Sequence, residues 1–306
     1  MPTPHPAIRL PAGSAIDKGL NNMSLPVLSD ALLAEWLADD ARLGDLTTHL
    51  LGIGSYPAYM TFSARDPLVV AGAEDAARII EMSGASVVTH ANSGASLTAG
   101  DPILAATGSA AALHRSWKVA QTLIEVASGI ATQTRRIVDA AQAARPGIAV
   151  ACTRKTPPGT KPLAIKAIMA GGATPHRLGL SETILVFEEH RNFLADASPE
   201  QVVHRLRRGA PEKKIVIEVV TLGAALSWAA AGADVIQAEK FSVPEIAATI
   251  EDFRRADLAT LLAAAGGVNA DNAADYARAG ADILVTSAPY AAKPRDVQVT
   301  LIPADP

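Results

Sequence analysis

The chain reads Ala231-Gly232-Ala233-Asp234-Val235-Ile236 at one point and Ala279-Gly280-Ala281-Asp282-Ile283-Leu284 at a later one. In each copy a glycine closes an alanine-rich helical segment, and a short apolar strand begins directly after it. The repeated element is therefore one β/α unit. Units of this kind build a parallel sheet, closed or open, and we expect an α/β barrel.

Apolar segments of the same character continue on both sides of the repeat. We predict strands at 148–152, 183–187, 215–220, 235–238, 261–263 and 283–286, with alanine-rich helices between most of them. The rhythm before residue 148 is different. A helix capped by Ser29, strand-like runs and a helix at 73–83 precede a long helix at 116–144, which is predicted to be interrupted near Ser128-Gly129. The sequence thus predicts an N-terminal α/β sandwich domain at 24–115 and an α/β barrel domain at 116–289.

Composition bounds the class of protein. Hydrophobic residues make up 49% of the 306 residues but aromatic residues only 4%, so the core is packed with small aliphatic side chains. The net charge of −4 and the lack of a basic stripe argue against nucleic-acid binding, and the lack of a long apolar run argues against a membrane span. The single cysteine, Cys152, fits a reducing cytoplasm. Residues 1–22 are proline-rich and are interpreted as a mobile extension.

Residues 140–181 contain no carboxylate, in a chain that is acidic as a whole. Clustered positive charge raises the local concentration of negative ligands, so this cationic segment predicts an anion site. Its six cations are Arg145, Arg154, Lys155, Lys161, Lys166 and Arg177.

Polar residues also follow the predicted barrel strands, where barrel enzymes place their chemistry. Arg154 and Lys155 follow one strand, Glu218 lies inside another, and Glu239, Gly266-Gly267 and Ser287 come at the ends of three more. Each alone also fits a structural role, as a surface ion pair or a turn. Glu218 is the exception, because a carboxylate within a β-branched strand is costly without a partner or metal. The convergence of these residues on one rim favours a functional site.

Three motifs then carry a family resemblance: Thr153-Arg154-Lys155-Thr156-x-Pro158-Gly159, His176-Arg177-x-Gly179-Leu180 and Ala265-Gly266-Gly267. Together they resemble the nicotinate-nucleotide pyrophosphorylase family, also called quinolinate phosphoribosyltransferase, over about residues 28–304. The segment from Pro175 to Phe187 is similar to the ModD branch, which is associated with molybdenum-transport genes.

The resemblance implies an N-terminal α/β sandwich joined to an incomplete α/β barrel, with chain-end strands at 290–304 returning to the first domain. It implies a homodimer with shared active sites and the Mg²⁺-dependent transfer of phosphoribosyl pyrophosphate (PRPP) to quinolinate or a related aromatic carboxylate. By motif position, Arg154, His176 and Arg177 fall in the carboxylate pocket, Lys155 on the PRPP side, and Gly266, Gly267 and Ser287 at the 5′-phosphate. Glu218 and Glu239 are the expected catalytic carboxylates and hold Mg²⁺ through water.

The chain departs from the family pattern at several of these positions. Lys118 stands where the partner-donated arginine is expected, and Phe187 stands where the family has a pocket lysine. Both substitutions weaken the binding of a doubly charged acid, so the acceptor is open between quinolinate and a related aromatic anion. Two other functions also stay open: a Schiff-base aldolase that uses Lys155 or Lys166, and a non-catalytic nucleotide- or oxyanion-binding protein of molybdenum uptake.

Overall fold

A computed structural model of the protein describes residues 25–304. The extension predicted at 1–22 lies outside these residues. A four-stranded antiparallel sheet and a seven-stranded parallel sheet form the two main layers, with a two-stranded sheet beside the first. Of the helices between residues 25 and 304, none is long and apolar enough to cross a membrane.

The antiparallel sheet is built from both ends of the chain. Its strands lie in the order β13-β1-β5-β3, and β13 pairs with β1 after the chain has passed through the whole parallel sheet. The elements up to residue 109, with the last strand, are α1 (Asp30–Ala41), α2 (Leu46–Leu51), β1 (Pro57–Ala64), β2 (Leu68–Val69), α3 (Ala73–Met82), β3 (Ser86–Thr89), β4 (Ser96–Leu97), β5 (Pro102–Ser109) and β13 (Val297–Pro303).

Helix α4 (Ala110–Ala144) is continuous over 35 residues, so the predicted interruption near Ser128-Gly129 is wrong. Gly129 is needed for packing: a Cβ atom there would lie 2.4 Å from the carbonyl oxygen of Lys293. The Ser128 hydroxyl accepts a hydrogen bond from the N–H of Ala71 at 3.1 Å. These small residues let the helix approach neighbouring backbone closely. In the sequence alone, the same Ser-Gly pair resembles a helix break.

Seven parallel strands form the second sheet, in the order β7-β6-β12-β11-β10-β9-β8. The edge strands β7 and β8 do not pair with each other, so the incomplete barrel expected from the resemblance is confirmed. Its elements are β6 (Ala149–Cys152), α5 (Lys161–Ala170), β7 (Thr174–Pro175), β8 (Ile184–Val186), α6 (Glu188–Arg191), α7 (Pro199–Gly209), β9 (Ile215–Val219), α8 (Leu222–Ala230), β10 (Val235–Glu239), α9 (Val243–Arg255), β11 (Leu261–Ala265), α10 (Ala273–Arg278) and β12 (Ile283–Thr286).

The repeated Ala-Gly-Ala-Asp motif has one structural role in both copies. Asp234 accepts a hydrogen bond from the N–H of Ile215 at 2.7 Å, and Asp282 accepts one from the N–H of Leu262 at 2.9 Å. Each carboxylate thus accepts a hydrogen bond from an N–H near the start of the neighbouring strand. An arginine then neutralises each charge, Arg207 for Asp234 and Arg145 for Asp282.

Side chains that point into the half-barrel alternate along each strand and fill its interior. The buried members of this inner cluster are Leu185, Val216, Val235, Ala263, Ala265 and Val285. This apolar layer closes the barrel from below. Residues further along the same inward faces, towards the carboxyl ends of the strands, therefore stand above a dry floor.

A buried ion pair ties the parallel sheet to the first part of the chain. Lys166 on α5 lies 2.5 Å from Asp75 on α3, and the two side chains are only 4% and 5% exposed. Glu74 lies 3.2 Å from the same ammonium group. Burial raises the pKa of Glu74, but hydrogen bonds from the Ser93 hydroxyl and N–H outweigh it, so the net shift is downward. Helix α5 is therefore anchored by charge as well as by apolar packing.

Candidate active site

A cavity of about 710 Å³ opens at the carboxyl ends of the parallel strands. Ten of the eleven residues that the sequence singles out for the site line it: Arg154, Lys155, His176, Arg177, Phe187, Glu218, Glu239, Gly266, Gly267 and Ser287. The structure brings these residues together from all seven strands of the parallel sheet. Their individual roles stay predictions, but their convergence is a geometric fact.

The loop that carries Arg154 and Lys155 is fixed at its root. The N–H of Thr153 donates to the carbonyl of Thr286 at 2.9 Å, and the Tyr290 hydroxyl donates to the Thr153 carbonyl at 2.9 Å. Both cations then project as exposed side chains into the cavity wall. A fixed root under two exposed cations suits the capture of a charged ligand.

Arg177 is buried, with 7% of its surface exposed. Among residues 25–304 no carboxylate lies within 4.0 Å of its guanidinium group. Burial, together with the nearby charge of Arg154, lowers the pKa of Arg177 from its usual value. Its guanidinium carbon lies 5.5 Å from the centre of the Phe187 ring, a cation–π distance. Burying a cation without an anion is costly, so this position favours an anionic ligand.

His176 lies beside Arg177 on the same wall and is half-buried. Burial, and then the charge of Arg177, lowers the pKa of the His176 imidazole. The ring is therefore neutral near neutral pH and offers one donor and one acceptor rather than a third positive charge.

The remaining cations of the cationic segment are engaged elsewhere, so the segment is not one site. Arg145 binds Asp282 at the opposite end of the strands. Lys161 donates to the carbonyl of Leu178, and Lys166 is buried against Asp75. Lys166 does not line the cavity, which removes it as a candidate Schiff-base lysine there.

Glu218 and Glu239 form the acidic side of the cavity. Burial raises the pKa of Glu218, the charges of Glu239 and Glu189 add to that rise, and a hydrogen bond from Gln237 opposes it. A carboxylate whose pKa is raised by a neighbouring carboxylate is stabilised by a nearby cation. No cluster of three or more potential metal ligands occurs in the described part of the chain. Glu218 and Glu239 are the residues that could hold a Mg²⁺ ion, which keeps several waters and needs only one or two protein carboxylates.

The Gly266-Gly267 turn follows β11, with φ angles of 83° and 91°. A Cβ atom at Gly266 would lie 2.6 Å from Lys240 Cγ and 2.9 Å from Glu239 Oε1, so only glycine fits. The amides of Asn269 and Asn272 both donate to the Gly267 carbonyl, at 3.2 and 3.0 Å. The turn is thus held rigidly beside Glu239. The next helix, α10, begins only at Ala273, so the turn itself, not a helix end, faces the cavity.

Several residues that line the cavity were not singled out from the sequence, among them two polar ones, Gln237 and Glu189. Gln237 lines the cavity two residues before Glu239 on β10, and Glu189 lines it from the start of α6. The period-two alternation of strand side chains places Gln237 on the same face as Glu239, so its position was available as a signal. Glu189 follows a strand end next to another glutamate and carries no such signal.

Lys118 is the one predicted site residue that lies apart. It sits on α4, with its ammonium group 4.8 Å from the centre of the Trp117 ring and 3.1 Å from Gln121 Oε1. It lines a separate, more apolar groove together with Pro158 and Gly159. Within one protomer, Lys118 therefore does not contribute to the cavity.

Comparison with known proteins agrees with this architecture. The model of the quinolinate phosphoribosyl transferase N-terminal domain matches residues 45–128, and the model of the C-terminal domain of the same family matches residues 130–300. Together these matches span most of the chain.

Individual relatives show the same likeness at full length. The chain is 44% identical over 255 residues to the ModD protein of Rhodobacter capsulatus, covering 83% of this chain and 98% of that protein. It is 39% identical over 274 residues to the ModD protein of Pasteurella multocida, covering 89% and 97%. The crystal structure of NadC from Streptococcus pyogenes superposes with a TM-score of 0.83 at 25% identity, covering 91% of this chain and 99% of that one. The chain therefore belongs to the quinolinate phosphoribosyl transferase family.

Proposed function

We propose that this protein is a Mg²⁺-dependent phosphoribosyltransferase that joins PRPP to an aromatic carboxylate and releases pyrophosphate. One observation carries the proposal: buried Arg177 has no carboxylate partner in residues 25–304, yet it faces the same cavity as Glu218 and Glu239. The wall that carries Arg177 is thus positively charged, and the wall that carries Glu218 and Glu239 is negatively charged. A pair of anionic substrates with a divalent cation balances both.

The cationic wall supports the binding of the acid. Arg154 and Arg177 can each hold a carboxylate through two parallel hydrogen bonds, which a lysine cannot do. Lys155, next to Arg154 in the same loop, acts as a point charge and suits the pyrophosphate group. Neutral His176 adds a hydrogen bond without adding charge. Together these residues would hold the carboxylate of the acid at the cationic wall.

The acidic wall supports the ribose and the metal. When bound, Mg²⁺ supplies positive charge that stabilises the pyrophosphate as it departs. Glu218 and Glu239 would hold the water shell of the ion, and Glu239 can also accept hydrogen bonds from the ribose hydroxyls. As the bond between the ribose carbon and pyrophosphate breaks, the two carboxylates stabilise the positive charge that develops on the sugar.

The Gly266-Gly267 turn supports phosphate binding. No acceptor in residues 25–304 takes a hydrogen bond from the backbone N–H of Gly266 or Gly267. Successive free N–H groups in a tight turn form a concavity that binds anions. The Ser287 hydroxyl lines the same side of the cavity and adds a donor for the 5′-phosphate.

The Phe187 side chain favours an acceptor that carries less negative charge than a dicarboxylate. Its ring occupies the cavity wall beside Arg177 and stacks on His190 with a centroid separation of 5.8 Å. The wall here offers an aromatic face instead of a third cation. We infer that the acceptor is a flat aromatic acid related to quinolinate, with less negative charge to neutralise.

We further propose a homodimer in which Lys118 of one protomer completes the cavity of its partner. The proposal rests on the distance of Lys118 from its own cavity and on the groove it shares with Pro158 and Gly159. Light scattering measures the molar mass, and we expect twice the 31.6 kDa of a single chain. A mass of one chain would contradict the proposal, because Lys118 would then lie outside any site.

The proposed function is tested with purified protein, PRPP and Mg²⁺ across a set of aromatic carboxylates. We expect pyrophosphate release that depends on one of the acids and stops when the metal is chelated. Silence with every acid, together with undetectable PRPP binding, would remove the enzymatic proposal. PRPP or oxyanion binding without turnover would favour the non-catalytic alternative, a binding protein of molybdenum uptake.

Replacing Phe187 with lysine tests the acceptor side. A lysine at this position restores a cation on the wall, so Phe187→Lys is expected to improve quinolinate affinity by about tenfold, the value of one charge-assisted hydrogen bond. Phe193→Lys is the matched control, because Phe193 is 90% exposed just beyond α6. If the two substitutions changed the dissociation constant for quinolinate equally, position 187 would not control the pocket.

A further inference from the structure

Gln237 is a buried amide in the middle of the cavity-facing row of β10. Its side chain points inward with those of Val235 and Glu239, because strand side chains alternate between faces. It is 5% exposed and lines the cavity. A fully polar side chain at such depth needs hydrogen-bond partners for both its nitrogen and its oxygen.

Only one end of the amide has a partner. The Nε2 atom donates to Glu218 Oε2 at 2.6 Å. The Oε1 atom is buried and receives no hydrogen bond from any residue in the described range 25–304. The contact with Glu218 also assigns the nitrogen and the oxygen of the amide, because a reversed amide would place its oxygen against the carboxylate oxygen of Glu218. The free acceptor is therefore held in place on a side chain that lines the cavity.

Strand register places Gln237 in one row with the acceptor wall. Gln237 pairs with Glu218 across β10 and β9. Val186 pairs with Ile217 across β8 and β9, and continuing this register by one residue sets Phe187 opposite Glu218. The row Phe187, Glu218, Gln237 thus crosses three neighbouring strands, spanning about 10 Å at the usual strand spacing. An aromatic ring that contacts Phe187 reaches the Gln237 amide with one substituent.

We propose that Gln237 determines acceptor specificity: its Oε1 atom accepts a hydrogen bond from an amino or hydroxyl substituent on the aromatic acid that lies against Phe187. The proposal rests on the proposed function for the presence of the acid. It adds a substrate class, a ring that carries one carboxylate for Arg154 and Arg177 and one hydrogen-bond donor for Gln237.

The ribose hydroxyls of PRPP are a second source of O–H donors. The acid is the better match, because Gln237 lies two residues deeper in the barrel than Glu239, towards the apolar floor, and shares its row with Phe187. The phosphate turn at Gly266-Gly267 instead follows Ala265, which pairs with Glu239 at the rim. Measuring PRPP binding alongside acid binding separates the two sources.

The experiment measures the affinity of the Mg²⁺-loaded protein for pyridine-3-carboxylate and for its amino and methyl derivatives at each free ring position. A methyl group is similar in size to an amino group but has no hydrogen-bond donor. At one ring position we expect the amino derivative to bind at least about tenfold more tightly than the methyl derivative, because a buried acceptor left without its donor is costly. This comparison uses the natural protein and needs no variant to fold.

Gln237→Met removes both polar ends at nearly constant volume and is expected to abolish the preference for the amino derivative. Gln298→Met is the matched control, because it makes the same substitution at an exposed glutamine on β13. Circular dichroism confirms that both variants fold. The control variant is expected to keep the full preference.

Three outcomes would overturn the inference: no ring position shows the preference, the preference survives in Gln237→Met, or Gln237→Met weakens PRPP binding and leaves acid binding unchanged. The pyrophosphate assay separates this proposal from the proposed function. Turnover without any amino preference defeats the Gln237 inference alone. An amino preference in binding without pyrophosphate release defeats the transferase proposal and leaves Gln237 as a ligand-selecting residue.

Discussion

Lys166→Met is expected to lower the free energy of unfolding by about 3–5 kcal/mol, the usual cost of breaking a buried ion pair by removing one partner. The substitution leaves Asp75 in a site where its side chain is 5% exposed, with no other cation within 4.0 Å in residues 25–304. Water cannot replace the lost ammonium there. Urea denaturation, followed by circular dichroism, measures the change.

Lys214→Met is the matched control for this loss. Lys214 also pairs with an aspartate, Asp234, at 3.5 Å, but its side chain is 73% exposed. Exposed pairs contribute at most about 1 kcal/mol, so the control should stay near the natural protein. Adding Asp75→Leu to Lys166→Met is expected to recover much of the loss, because an apolar pair leaves no buried charge. Equal losses for Lys166→Met and Lys214→Met would contradict this account.

The ion pair also bears on the site, through the position of α5 in the chain. Helix α5 joins the loop of Arg154 and Lys155 to the segment of His176 and Arg177, and Lys166 anchors it to α3. Sequence analysis placed Lys166 among candidate anion-binding or Schiff-base residues. The correct partner, Asp75, is 91 residues away in the chain, and no local pattern links the two.

The parallel sheet could be predicted because its cause is local. Each Ala-Gly-Ala-Asp copy contains a helix-ending glycine and an aspartate that accepts a hydrogen bond from an N–H near the start of the preceding strand, so the motif marks one β/α unit. The continuity of α4 could not be predicted in the same way. Gly129 resembles a helix break, but its reason is the close approach of Lys293, which only the folded chain brings near.

Much of the candidate site followed from the position of residues after strands. That rule brought Arg154, Glu218, Glu239 and the Gly266-Gly267 turn to one cavity without knowledge of contacts. Charge counting was less reliable, because a cation's role depends on the partner it finds. Arg145 and Arg177 count equally in the net charge of the cationic segment, yet Asp282 neutralises Arg145, whereas Arg177 is buried with no carboxylate within 4.0 Å in residues 25–304.

Arg177→Met is expected to weaken binding of the aromatic acid by about 100-fold while leaving the ligand-free protein as stable as before, or more stable. The affinity loss corresponds to losing a two-point charge-assisted hydrogen bond. The stability result follows from burial: without a ligand, Arg177 is a desolvated cation with no carboxylate partner in the described residues, and methionine removes that cost. Calorimetric titration and urea denaturation measure the two effects on one preparation.

Arg154→Ala and Arg145→Ala complete the comparison. Arg154 is exposed on the same wall, so its removal should weaken acid binding and leave the free energy of unfolding nearly unchanged. Arg145 binds Asp282 and the carbonyl of Gly280 at the other end of the strands, so its removal should lower stability and leave acid affinity intact. If Arg177 were a structural residue, its replacement would lower the free energy of unfolding, as replacement of Arg145 does. Only a residue kept for its ligand loses affinity alone, because the ligand is the anion that its burial requires.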